Sequence, residues 1–253
     1  MGDRRGGAAV SSESSFDSST IALLLCGCAA PLVFLPFVFW SGLVTPGYSH
    51  FSSTFSDAAA QGQPYPAIIG TGLVLLGLLL GLYGLGLSRT LPRYGGLCRA
   101  SLTVAALAIA GTGIFQDHNR SPFVERNLEG MTHNAFAMVA ILGIIATIAV
   151  TVLAVRDSPE WERLPIVGVA CLLGTAVTGI AFLNVGDGRD GLAERLFAAV
   201  AIGWLVLMAV NGLRIAAEQG GLESRRHLVF DILRSESVYS TVPVGESETR
   251  RDG

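Results

Sequence analysis

The sequence predicts an all-α polytopic membrane protein, a six-transmembrane-helix bundle with disordered polar tails. Three observations carry this. Six long apolar runs contain no Asp, Glu, Lys or Arg, the 253-residue chain is 51% hydrophobic, and its arginines collect in alternate connections. A helix needs roughly 20 apolar residues to cross about 30 Å of hydrocarbon. In lipid the backbone must satisfy its own hydrogen bonds, so such runs can only be helices. The runs are Ile21–Leu43, Ala67–Leu87, Ala100–Gln116, Ala135–Val155, Leu164–Val185 and Leu196–Leu213. They set a transmembrane domain over 20–215, an N-terminal tail over 1–19, and a C-terminal tail over 216–253. Residues 1–19 and 235–253 are short, polar and poor in apolar residues, the composition of disorder.

The first run carries Pro31 and Pro36, which should kink it, and places Trp40 at interfacial depth. The connection after it, Val44–Pro66, holds aromatics and hydroxyls and no Arg. Within it, Ser56 followed by Asp57-Ala58-Ala59 reads as the start of a short interfacial helix before Pro64 and Pro66. The second run is rich in glycine. Gly77 and Gly81 form a small-xxx-small pair that lets another helix approach closely, either inside the chain or as a homo-oligomer seam between two copies. The third helix ends Gly113-Ile114-Phe115-Gln116-Asp117-His118, and the fourth opens with Gly130-Met131-Thr132-His133-Asn134. The fifth ends Thr178-Gly179-Ile180, echoing the third. The sixth is entered through Glu194 and Arg195, with Trp204 deeper. Beyond Arg214, the stretch Leu222–Leu233 alternates bases with apolar residues and reads as a short amphipathic helix on the membrane surface.

All 17 basic residues are Arg, a composition that GC-rich coding would give. With six crossings both termini share one side. That side would hold 13 arginines and the other only Arg120, Arg126, Arg189 and Arg195. The positive-inside rule then puts both termini in the cytoplasm and the chain in the cell membrane. The net charge of −3 gives no reason to expect a nucleic-acid partner. Cys26, Cys28, Cys98 and Cys171 lie in or beside apolar runs without zinc spacing, and no cofactor or metal set is assigned.

In this topology His50, Asp57, Asp117, His118, His133, Glu194 and Arg195 all fall at the outer face. That is the one concentration of chemistry in the sequence. Asp117, His133 and the Glu194-Arg195 pair are expected to approach one another there, with Asp117 pairing to Arg195. Histidines and carboxylates at one depth are also the ingredients of a zinc site that activates water. Mid-bilayer positions carry no charge, whereas coupled transport usually requires one. The leading expectation is therefore a non-enzymatic bundle that binds membrane lipid headgroups or a membrane partner at its outer face. The alternatives are a metal-dependent hydrolase acting on lipid and a small-solute transporter.

Several local patterns occur together in one family. Pro46-Gly47-Tyr48-Ser49-His50 leads to Ser56, Asp57 and Gly62-Gln63-Pro64-Tyr65. Gly113-Ile114-Phe115 with Asp117 follows, then His133, then Gly191-Leu192 with Glu194-Arg195-Leu196 and Trp204. In this order and spacing the chain resembles the integral membrane proteins grouped as domain of unknown function 998, over about residues 20–215. Ser56-Asp57-Ala58 departs from the family's Ser-Glu-Leu start, and Asp-His-Asn after Gln116 from its proline-containing turn. The resemblance implies the six-helix fold and leaves the activity open.

Overall fold

A computed structural model describes residues 18–118, 127–184 and 188–239, without the side chains of 183–184 and 219–239. Among the described residues there are seven α-helices and no strand. They are α1 (Ser18–Val44), α2 (Phe55–Ala58), α3 (Pro66–Thr90), α4 (Gly95–Ile114), α5 (Leu128–Val155), α6 (Leu164–Asn184) and α7 (Asp190–Tyr239). A 3₁₀ turn over Pro159–Trp161 precedes α6. Six of these helices are long and apolar enough to cross a membrane, the last through its Asp190–Glu218 part. The protein is a multi-pass membrane protein.

The helices begin and end where local chemistry dictates. Pro66 occupies the first position of α3, where a missing N–H costs nothing. Asn127 caps α5 by accepting from the Gly130 amide at 2.9 Å. That cap starts α5 seven residues before the apolar run at Ala135, so Glu129, Gly130 and His133 are helical. Pro31 and Pro36 lie inside an unbroken α1. The interfacial helix is present as α2, but its cap is Thr54 rather than Ser56. The Thr54 hydroxyl accepts from the Asp57 amide at 3.1 Å while Asp57 Oδ2 accepts from the Thr54 amide at 2.7 Å, a reciprocal capping box. Residues 222–233, expected as a short surface helix, are helical and fall within the range of α7. Of the segments expected to be disordered, 1–19 and 235–253, residues 1–17 and 240–253 lie outside the described residues, while 18–19 are helical in α1 and 235–239 in α7.

Two bodies are distinguished along the chain, and the bundle is the one spanning Asp17–Ala216. In it α3 packs between α1 and α4, α4 against α5, and α5 against α6. Lipid tails are as apolar as leucine, so close packing and internal hydrogen bonds must hold such helices together. Glycine supplies the packing, in a register other than the expected pair. Gly70, Gly77 and Gly84 repeat every seven residues along the α4 side of α3. A Cβ on Gly70 would lie 2.6 Å from the Gly113 carbonyl oxygen, one on Gly77 2.5 Å from that of Ala106, and one on Gly84 3.4 Å from Leu102. Gly72 and Gly86 face α1 instead, at Phe37 and Leu23. Gly81 is looser, since its Cβ would meet only the Ala106 methyl at 3.7 Å. A seven-residue repeat is the register of left-handed helix pairs, and here it is spent inside the chain.

The membrane part of α7 closes the bundle. Trp204, Leu205, Met208 and Ala209 are fully buried. Trp204 Nε1 donates to Thr151 Oγ1 on α5 at 2.9 Å, and the Tyr83 hydroxyl on α3 donates to the Leu205 carbonyl at 2.9 Å. Ile166 and Leu43, each 80% exposed, face outward where lipid rather than water is the solvent. At one end Arg93 and Arg156 both engage Asp157; Arg93 chiefly, then Arg156, hold its carboxyl below the usual carboxylate range.

Candidate functional site

The segment 45–65 crosses the other end of the bundle, where α4 stops and α5 and α7 start. Side chains and backbone groups of those helices bind it at successive points. Leu192 N donates to the Phe51 carbonyl at 2.9 Å, and Gln61 N donates to the Asp117 carbonyl at 2.9 Å. Glu194 Oε2 accepts from the Phe55 amide at 2.5 Å. The Gln61 side chain exchanges hydrogen bonds with Asn127, donating at 3.2 Å and accepting at 2.6 Å. The carboxylate of Glu129 accepts from Gln116 N at 3.0 Å.

Arg195 is the main clamp. Its Nη1 donates to the carbonyls of Ser53 at 2.9 Å and Gly191 at 2.7 Å. Its Nη2 reaches the Tyr48 hydroxyl at 2.5 Å and His50 Nδ1 at 3.1 Å. The guanidinium also packs 4.9 Å from the Phe55 ring centroid and 5.8 Å from that of Tyr48. A guanidinium offers five N–H groups, so four contacts leave it little capacity for a ligand. Its charge shapes its neighbours. Burial, then Arg195, pushes the His50 imidazole below its ordinary value, which suits an acceptor facing a cation. Burial pushes the Tyr48 phenol up, and Arg195 partly offsets it.

His133 is 1% exposed on the second turn of α5. Its Nδ1 lies 2.8 Å from the Phe115 carbonyl oxygen and its Nε2 lies 3.0 Å from Ser56 Oγ. A carbonyl only accepts, so Nδ1 carries the proton and Nε2 accepts from the serine hydroxyl. Phe115 is the C-cap of α4, and its ring stacks on Phe136 one turn along α5 with centroids 5.5 Å apart.

The residues singled out from the sequence thus divide into small groups. His50 and Arg195 touch. Asp57 closes the α2 cap, and Glu194 holds the Phe55 amide. The Asp117 carboxylate, 6% exposed, accepts from His118 N at 2.8 Å and lies 3.0 Å from His118 Nδ1. The expected pairing of Asp117 with Arg195 is therefore replaced by local and loop contacts on each side. His133, Glu194 and Arg195 are linked through the segment between them: His133 meets Ser56, Glu194 the Phe55 amide and Arg195 the Ser53 carbonyl. Among the described residues no three His, Cys, Asp or Glu side chains are grouped to hold a metal ion. Sequence reasoning gave no site role to Ser53, Gln61 or Asn127, and took Tyr48 and Ser56 only as parts of the family pattern and, for Ser56, as a helix start. The Thr54-Phe55-Ser56-Asp57 spacing was a readable signal for the cap; nothing in the sequence marks the Phe115 carbonyl.

These features define a class: a six-span helical membrane protein whose first long connection is bound down across one end of the bundle. The family model described as "Protein of unknown function (DUF998)" matches residues 28–211, and the chain belongs to that family. No curated protein and no solved structure gives a significant match.

Proposed function

We propose that the protein binds membrane lipid on the face that carries segment 45–65, which the distribution of arginines assigns to the outside. The observation that carries this reading is a groove between α1 and α3, directly below that segment. It is lined by Pro36, Phe37, Trp40, Ala67, Ile68 and Thr71. Its walls are apolar, so they suit an acyl chain, and Gly72 lets Phe37 lie against α3 at its floor. Trp40 and Tyr65, 58% and 57% exposed, flank it with the aromatic groups that favour the headgroup boundary. Arg195 serves the scaffold of the bound-down segment rather than the ligand.

Trp40 reports on the groove, because Trp161 and Trp204 are buried at 1% and 0% exposure. Titrating a brominated phospholipid into protein in detergent micelles should quench Trp40 saturably, at one lipid per chain. Thr71→Phe, which fills the groove from an exposed position, should abolish the saturable part. Quenching that only follows the lipid's mole fraction in the micelle, unchanged by Thr71→Phe, would refute the reading.

A further inference from the structure

We propose that Ser56 and His133 form a nucleophile–base pair for acyl transfer, with a carboxylic ester of a membrane lipid as the substrate class. Three things place them. The first is the turn that presents Ser56: the Thr54–Asp57 capping box and the Glu194 bond to Phe55 N fix the backbone on both sides of it. The second is the geometry. Ser56 Oγ lies 3.0 Å from His133 Nε2, and the opposite ring nitrogen is anchored 2.8 Å from the Phe115 carbonyl. A nucleophile within hydrogen-bond reach of a base that a third group orients is the arrangement that activates a serine hydroxyl. The third is access: His133 is closed off, while Ser56 is only part-buried and sits at a helix end, the depth where lipid ester groups lie.

The atoms balance without a metal. As Oγ bonds the ester carbonyl carbon, its proton passes to Nε2 and the carbonyl π pair moves onto oxygen. Collapse restores the carbonyl, breaks the bond to the alkoxy oxygen and returns the Nε2 proton to that leaving alcohol. Water then attacks acyl-Ser56 in the same manner, giving the free acid and regenerating the hydroxyl. The orienting group is a neutral carbonyl where a triad has a carboxylate, so the imidazolium gains less stabilisation and the serine is a slow nucleophile. Arg195, packed on the adjoining Phe55 ring, brings fixed positive charge to this turn.

The pair is independent of the lipid groove, and its test needs no bound lipid. A fluorophosphonate probe is added to the folded full-length protein in detergent. Attack by Oγ on phosphorus expels fluoride and leaves the proton on His133. Mass spectrometry should find one adduct, on the peptide containing Ser56, and none in Ser56→Ala. His133→Asn keeps an N–H for the Phe115 carbonyl but removes the base, and should slow labelling about 100-fold in protein that still melts cooperatively. Folded wild-type protein with no adduct on Ser56, or labelling that His133→Asn leaves unchanged, overturns the proposal. A loss of thermal stability in Ser56→Ala with no labelling of wild type does so as well, since the contact is then only a tie between loop and helix.

Discussion

Arg195→Lys should destabilise the protein nearly as much as Arg195→Ala, by about 2–4 kcal/mol in each case. The reason is the shape of the group rather than its charge. The guanidinium fork reaches Ser53 and Gly191 with one nitrogen and Tyr48 and His50 with the other. Lysine keeps the charge as a point on a flexible stem and cannot span those four acceptors. Each hydrogen bond to a charged group contributes about 1.5–3 kcal/mol, but the four share one side chain, part-exposed, and do not add. Thermal unfolding in detergent measures the effect. A lysine variant as stable as wild type would mean that charge alone matters and that segment 45–65 is not held by the fork.

Gly77→Leu should cost ~3 kcal/mol or more. At that position even a Cβ lies 2.5 Å from the Ala106 carbonyl oxygen and 3.0 Å from the Ala110 amide nitrogen. Both are backbone atoms, so relief requires α3 and α4 to separate, loosening Gly70 against Gly113 two turns away. Gly81→Ala is the control. Its new methyl would make an ordinary contact with Ala106 at 3.7 Å, and its stability should stay within about 0.5 kcal/mol of wild type. Comparable losses at both positions would show that the seven-residue stripe is not the seam between these helices.

The bundle was legible because lipid imposes one rule on every span. Runs without charge become helices, and the runs starting at Ala67 and Leu164 agree with helices at Pro66 and Leu164 to within a residue. The fourth spanning helix, α5, was expected to open at Gly130 and starts two residues earlier, at Leu128, because a side-chain cap at Asn127, invisible to hydropathy, carries it across Glu129. The glycines of α3 were legible as packing residues, but not their register. Gly77-xxx-Gly81 and Gly70–Gly77–Gly84 are equally good patterns until the position of α4 is known. The site was legible only as a depth. Parity put His133, Glu194 and Arg195 at one end, and charge suggested that they would find each other. The structure ties them to Ser56 Oγ, the Phe55 amide and the Ser53 carbonyl respectively. Backbone groups of a connection have no side-chain signature, so no spacing in the sequence points to them.

Amide hydrogen exchange across residues 51–61 and at Leu192 tests the account most directly. If segment 45–65 is bound to the bundle end, the amides of Phe55, Gln61 and Leu192, which donate to Glu194 Oε2, the Asp117 carbonyl and the Phe51 carbonyl, should exchange at least ~100-fold slower than in a free peptide. Arg195→Lys should remove most of that protection while leaving α3 and α4 protected. Exchange of these amides at free-peptide rates in the folded wild-type protein would contradict the account.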